Sequence, residues 1–198
     1  MLDRIVYFSG VHGSGKSTLV REITKNDGFL EHKRVHSVKL EDTYIRSVWR
    51  LTKYYIEARE QLMLAQTNKN QLILGNRCVY DNFAYMNAFQ KLNWVSDEDI
   101  KHHSDVFEAL FPESLLPKTV IHIAPPFDWV RERLNERWQT ESKKWREDNF
   151  GYLQAVMCAY DKLYSSLSIN ILRLEETDYK GRINMVSDWL KIHMSDNR

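Results

Sequence analysis

Apolar residues along this chain follow two rhythms. Short continuous runs rich in β-branched and aromatic side chains alternate with longer stretches in which apolar residues recur at helical spacing. Residues 4–9 (RIVYFS), 71–75 (QLILG), 119–124 (TVIHIA) and 169–174 (INILRL) are of the first kind and predict buried strands. Residues 34–40, where Val35 and Val38 flank polar positions, predict one more. From Lys16 onward Leu19, Val20 and Ile23 share one helical face. Helices are also predicted over 41–68, which lacks Gly and Pro, and over 79–92, 129–138, 147–167 and 179–193. Ser96, followed by Asp97, Glu98 and Asp99, reads as a helix N-cap with acids in the first turn. Strands alternating with helices imply an α/β fold, a parallel sheet covered on both faces.

Composition narrows the class. A length of 198 residues suits a single domain, 1–198, with one proper core. With 28 basic against 27 acidic residues the net charge is +1, which removes the electrostatic case for nucleic-acid or membrane-surface binding. No stretch is apolar for long enough to span a bilayer, and the start carries no secretory h-region. Two cysteines, Cys78 and Cys158, build neither a disulfide framework nor a four-thiolate zinc site. The expectation is a soluble cytoplasmic protein. Three of its seven glycines, Gly10, Gly13 and Gly15, fall within six residues.

Those glycines belong to Gly10-Val-His-Gly-Ser-Gly-Lys16-Ser17, which fits G-x-x-x-x-G-K-[ST] between a predicted strand and a predicted helix. Glycine permits backbone conformations that turn successive N–H groups inward around a phosphate. The helix that follows adds its unpaired N–H groups and positive dipole end. In such a loop Gly10, Gly13, Ser14 and Gly15 cradle the phosphates of ATP, and Lys16 places a charge on the β/γ oxygens. Ser17 offers a hydroxyl to Mg²⁺, and Thr18 reaches the α-phosphate. His12 lies inside the loop, either as a variable surface position or against phosphate. Asn68-Lys69-Asn70-Gln71 lacks the aspartate of a guanine-reading segment and reads as a polar turn. A small kinase remains.

A second motif, Asn76-Arg77-Cys78-Val79-Tyr80-Asp81-Asn82-Phe83-Ala84-Tyr85, resembles the thymidylate kinase pattern D-R-x-x-x-S-x-x-A-Y, with Asn76 for the first acid and Asp81 for the serine. Residues 116–126 and Arg133-Leu-Asn-Glu-Arg137 are similar to that family's P-D-x-T-x-x-L-x-x-P-P strand and R-I-x-x-R helix. A basic segment (Lys143, Lys144, Arg146) and a helix with Tyr152 and Tyr160 follow. The order of elements resembles thymidylate kinases and their deoxynucleoside kinase relatives over almost the whole chain. The resemblance implies a three-layer fold with sheet order 2-3-1-4-5, a small helical lid at about 137–150, and phosphoryl transfer from Mg·ATP. It implies Arg77 on the acceptor phosphate, Arg133 on adenine, and lid cations, here Arg137 and Arg146, on the transferred group. Tyr85 and Arg59 fall on its nucleoside side, and helices such as 41–68 offer a homodimer face.

Each assignment has a plainer competitor. Arg77 at the carboxyl end of a strand can grip a phosphate or pair with a helix carboxylate. The cations between Arg131 and Arg146 form either a phosphoryl clamp or a solvated face. Tyr80, Phe83 and Tyr85 form a core stripe or a base-binding surface, and Arg59 is also an ordinary exposed helix residue. Asn76 cannot accept a proton. A monophosphate acceptor, already ionised, does without a strong base, whereas a nucleoside hydroxyl benefits from one. Glu41, where the deoxynucleoside kinases carry a glutamate, is either that base or the first acid of the next helix. Asp81 supplies the missing charge or merely faces a helix N-terminus. The expectation is transfer to a pyrimidine deoxynucleoside monophosphate. Its alternatives are a deoxynucleoside, another small metabolite, or a non-catalytic ATP-binding regulator.

Overall fold

The structure, a computed structural model, describes residues 4–33, 38 and 40–196. Strands β1 (Ile5–Ser9), β2 (Phe29–Glu31), β3 (Leu72–Asn76), β4 (Thr119–Ile123) and β5 (Asn170–Leu174) form one sheet. All four pairings are parallel, in the order β2-β3-β1-β4-β5, which is the predicted order. Its edge strand differs from the expected one. Most of 34–40 lies outside the described residues, and Val38 and Leu40 are not in a strand. Phe29–Glu31 pairs with β3 instead, Phe29 opposite Leu72. Three residues, of which only Phe29 is buried, are too few to register as a hydrophobic period.

The central strands are buried on both faces, as parallel sheets require. Alternate residues enter different cores: Ile5, Tyr7, Ile73 and Val120 on one side, Val6, Phe8, Leu74 and Ile121 on the other. The second core is closed by α1 (Lys16–Ile23) and α7 (Tyr179–Asp196) through Leu19, Val20, Ile23, Val186 and Leu190. The first is closed by α2 (Thr43–Thr67), α3 (Val79–Lys91) and α6 (Phe150–Ser166), with α4 (Asp97–Leu110) packed outside against α2 and α3. Each large apolar side chain withdrawn here contributes about 1.5–3 kcal/mol. Helix α2 opens at Asp42, whose Oδ1 accepts from Ile45 N at 2.7 Å. It crosses β3 where Gly75 leaves room: a Cβ there would lie 2.6 Å from the Tyr7 ring and 2.9 Å from Gln61.

Helix α5 (Phe127–Arg137) precedes the segment expected to be a helical lid. Residues 138–149 are turns and bends, not a helix. The Glu147 carboxylate accepts from Lys144 N at 2.6 Å and from Trp138 Nε1 at 2.9 Å, and Arg146 sits at φ +49°. Side chain-to-backbone bonds of this kind compete with helix propagation. Among the described residues no helix is long and apolar enough to cross a membrane. Neighbouring β1 runs out between strands whose connections leave in opposite directions, so its carboxyl end opens a crevice.

Candidate active site

The loop 10–17 fills that crevice. Gly10, Gly13 and Gly15 adopt φ of +141°, +78° and +89°. A Cβ on Gly10 would approach Ile123 O to 2.4 Å, so this position admits nothing larger. Ser14 is buried, and its carbonyl is pinned from α7 by Arg182 Nη1 at 2.8 Å. Lys16, the first residue of α1, donates from Nζ to the carbonyls of Gly10 and Val11, both at 2.6 Å, and to Ser14 Oγ at 3.1 Å. Its ammonium is therefore held at the loop's centre. Ser17 and Thr18 are exposed in the same helical turn, with N–H groups that have no partner one turn earlier. Asn76, buried at the end of β3, donates from Nδ2 to Ser17 Oγ at 3.0 Å.

Arg77 follows at φ +82°, a conformation that non-glycine residues adopt only at a cost. Its amide donates to Phe8 O at 2.8 Å, which ties this bend to β1. Its Nη1 donates to Asp81 Oδ1 at 2.8 Å and to the Tyr160 hydroxyl at 3.1 Å. Asp81, fully buried, also accepts from Tyr160 Oη at 2.6 Å and from Cys78 N at 2.9 Å. Burial disfavours the Arg77 charge, but Tyr85, Tyr160 and Asp81 more than offset it and hold the guanidinium above its ordinary value. Asp81 thus does not reach outward to replace the missing acid; it anchors Arg77. The Arg77 guanidinium lines the crevice and pairs with the helix carboxylate of Asp81.

On the opposite wall Arg137 and Glu147 form a close ion pair, joined by Trp138. Burial alone would raise the Glu147 carboxyl, but hydrogen bonds from Arg137, Lys144 N and Trp138 bring it below its usual value. His12 Nδ1 lies 4.0 Å from Glu147, and its ring meets Tyr85 edge-on at 5.8 Å. Burial first, then Arg77, Lys16, Arg50 and Arg137, hold His12 far below an ordinary histidine.

These walls enclose a cavity of about 850 Å³. His12, Gly13, Gly15, Lys16, Ser17, Thr18, Arg77, Arg133 and Arg137 line it. Glu41, Arg59, Asp81, Tyr85 and Arg146 do not. Arg146 is exposed, with its guanidinium 4.2 Å from the Trp94 ring centroid and 4.9 Å from that of Trp145. Arg59 is exposed on α2, and Glu41 is exposed just ahead of the cap residue Asp42. Tyr85 is buried among Phe89, Tyr152 and Tyr160 and supports the site from beneath. Arg133 lies over Trp129 at 4.8 Å. Phe83 packs on Phe107 and His103, a core position.

Sequence reasoning missed the α2 wall: Arg46, Trp49, Arg50, Lys53 and Tyr54. The spacing 46, 50, 53 was the available signal, a single helical face. It also missed Glu147. The cavity is lined by nine Lys or Arg and only two acids, Glu136 and Glu141, in a chain whose net charge is +1. A site so composed stabilises phosphates and charge developing on transferred oxygens.

A magnesium nucleotide fits these residues. The inward-turned glycine loop, the centred Lys16 ammonium and the α1 N-terminus suit a polyphosphate. Ser17 Oγ is a hard oxygen ligand. Among the described residues no group of three His, Cys, Asp or Glu is arranged to hold a metal. Mg²⁺ bound through phosphates, water and one hydroxyl needs none.

The deoxynucleoside kinase family model matches residues 7–191. A search of curated proteins returns no match. Among solved structures, deoxyadenosine kinase from M. mycoides with bound dATP superposes with a TM-score of 0.71 at 20% identity, covering 94% of this chain and 99% of that one. The same enzyme with bound dCTP gives 0.65 at 18% identity, covering 94% and 98%. With the products dCMP and dCDP the values are 0.65 and 17%, again covering 94% and 98%.

Proposed function

The chain belongs to the deoxynucleoside kinase family of phosphotransferases, and from that premise we propose that it transfers the γ-phosphoryl group of Mg·ATP to the 5′ end of a deoxynucleoside-type acceptor. The observation that carries the reading is one cavity with the Lys16–Ser17 loop on one wall and Arg77 at the carboxyl end of β3 on another. Lys16 and Ser17 hold the β/γ-phosphates, and bound Mg²⁺ would supply charge neutralisation there. Arg137, lying beside Glu147, meets charge that spreads over the equatorial oxygens, and Arg133 covers the adenine side.

The family favours a deoxynucleoside as acceptor. A second reading, a deoxynucleoside monophosphate, is favoured by Asn76 and by the distribution of acids. The two carboxylates on the cavity, Glu136 and Glu141, stand on the α5 and lid wall, and Glu141 lies 3.6 Å from Lys144. Glu41 is exposed outside it. Among the described residues lining the cavity Glu136 and Glu141 are the carboxylates, and an ionised phosphate, unlike a hydroxyl, needs no base.

An ATP-dependent assay over deoxynucleosides and their monophosphates tests the reading. Lys16→Met is expected to lower turnover by at least about 10³-fold with the circular dichroism spectrum unchanged, because transition-state charge on the γ-phosphoryl loses its nearest cation. Turnover within tenfold of the parent protein would sink the assignment.

A further inference from the structure

The phosphate loop is braced from outside as well as from within. Arg182, in the first turn of α7, is buried and meets a loop 168 positions away in the chain. Its guanidinium joins three elements. Nη1 donates to Ser14 O at 2.8 Å, and Nε donates to Glu176 O in the connection between β5 and α7. The guanidinium carbon stands 4.2 Å from the ring centroid of Trp129 on α5, the ring that Arg133 also covers at 4.8 Å. The β5–α7 connection is itself fixed. Thr177 N and Asp178 N donate to the Glu176 carboxylate at 2.7 and 2.8 Å, and Gly181 N donates to Asp178 Oδ2 at 2.6 Å. Arg182 therefore reaches the loop from a rigid support.

Ser14 O and the Gly15 N–H belong to one planar trans peptide, so they point in opposite directions. Holding the carbonyl against Arg182 turns the Gly15 N–H the other way; it has no acceptor among the described residues, and Gly15 lines the cavity. Glycine at φ +89° tolerates either orientation of this peptide, so the orientation has to be imposed. A flipped peptide would present a carbonyl oxygen to the phosphates in place of a donor. The same glycine lets the guanidinium approach, since a Cβ there would lie 3.2 Å from Arg182 Nη1. Charge is the second observation. Among the described residues Arg182 forms no ion pair; two carbonyls and an indole face answer it, and Nη2 is buried without a hydrogen-bond partner. Burial, then Arg133, lowers the guanidinium to about 10, so it stays charged at neutral pH. A buried charge without a counter-ion is costly, and a polyphosphate in the loop brings the missing negative charge.

We propose that Arg182 is a positioning residue of the donor site: it presets the Ser14–Gly15 peptide for phosphate and places behind the loop a positive charge that the bound polyphosphate answers. The inference rests on the phosphoryl-transfer reading for the identity of the donor, and it assigns a residue that acts through the loop rather than on the reacting atoms. Preorganisation of this kind removes the cost of turning the peptide when the nucleotide arrives. Its effect belongs to the donor and leaves the acceptor side, lined by Arg77 and α2, unchanged.

The test titrates the full chain with Mg·ATP by calorimetry in the absence of acceptor, then measures ADP release with the best acceptor among the deoxynucleosides and their monophosphates. Arg182→Met is expected to raise the Kd and the KM for Mg·ATP by ten- to hundredfold, with the acceptor KM within twofold of the parent protein. Arg182→Lys, which keeps the charge but cannot span both carbonyls, should recover part of the affinity. Raised salt should weaken Mg·ATP binding more in the parent than in Arg182→Met. If Arg182→Met does not fold, Arg182→Lys takes its place, with an expected three- to tenfold loss for Mg·ATP and an unchanged acceptor KM. A folded Arg182→Met that binds Mg·ATP within twofold of the parent would overturn the assignment. So would KM values for ATP and acceptor that rise together by the same factor, the mark of a general loosening. If the parent binds Mg·ATP but turns over no acceptor, the kinase reading fails, and the calorimetric difference between parent and variant still decides for or against Arg182.

Discussion

Asp81 is where fold and site meet, and replacing it by Asn tests that connection. The carboxylate is fully buried and accepts from Arg77, Tyr160 and the Cys78 amide at 2.8, 2.6 and 2.9 Å. Asn preserves the shape and one acceptor oxygen, but its NH₂ group faces a donor and its charge is gone. Arg77 then remains largely buried without a counter-ion, and breaking such a pair costs about 3–5 kcal/mol. Arg77 keeps some exposure and the Tyr85 ring, so a loss of about 3 kcal/mol is expected. For a protein of this size, with a urea m-value near 3 kcal/mol per molar, the midpoint should fall by about 1 M with m unchanged. Adding Arg77→Met should recover part of the loss, because the uncompensated charge goes with it, giving a coupling of about 1–3 kcal/mol. Equilibrium urea unfolding of the two single variants and the double variant, followed by tryptophan fluorescence, measures all three quantities. A midpoint shift below about 0.3 M, or strict additivity in the double variant, would show that Asp81 does not hold Arg77 as described.

Two further outcomes concern the lid and acid stability. Glu147→Gln should loosen Arg137 and lower kcat by roughly ten- to hundredfold while the KM for ATP changes little. Because Glu147 is lowered in the folded state, its stabilising contribution is complete above about pH 5 and is lost as pH falls through its folded value, below about 4.3. The stability gap between parent and Glu147→Gln should close below that point, and a pH-independent gap would contradict it. His103 and His122, buried and held at about 4, stay neutral when folded but protonate near 6.5 when unfolded. The unfolded state therefore binds more protons between these values, and stability should fall by up to ~1.4 kcal/mol per pH unit for each histidine as pH drops below about 6.5. Urea midpoints between pH 7 and pH 5 read this directly; a flat profile would mean the rings are solvated or charged.

The central strands were legible because each is a short, largely apolar run buried on both faces and punctuated by Gly or Pro, whereas their order came from the family resemblance. Phe29–Glu31 escaped notice because pairing with β3, not its own composition, makes it a strand. The phosphate loop was legible for a different reason: backbone that must reach φ +141° or +78° admits few residues, so geometry leaves a mark in composition. Cationic side chains leave no such mark. Arg137 and Arg146 are equivalent in the sequence, yet Arg137, at the end of α5, lines the cavity while Arg146, in the turns that follow, lies over Trp94. Arg59 and Arg50 share a helix and are nine positions apart, close to half a turn out of phase, so one is exposed while the other lines the cavity. Phase relative to the sheet depends on where α2 crosses β3, which is decided by Gly75 and Gln61. Once that crossing is known, the spacing of Arg46, Arg50 and Lys53 ceases to be a solvated stripe. It becomes a positive wall of the cavity beside Arg77, with Arg50 and Arg77 over the same Tyr85 ring.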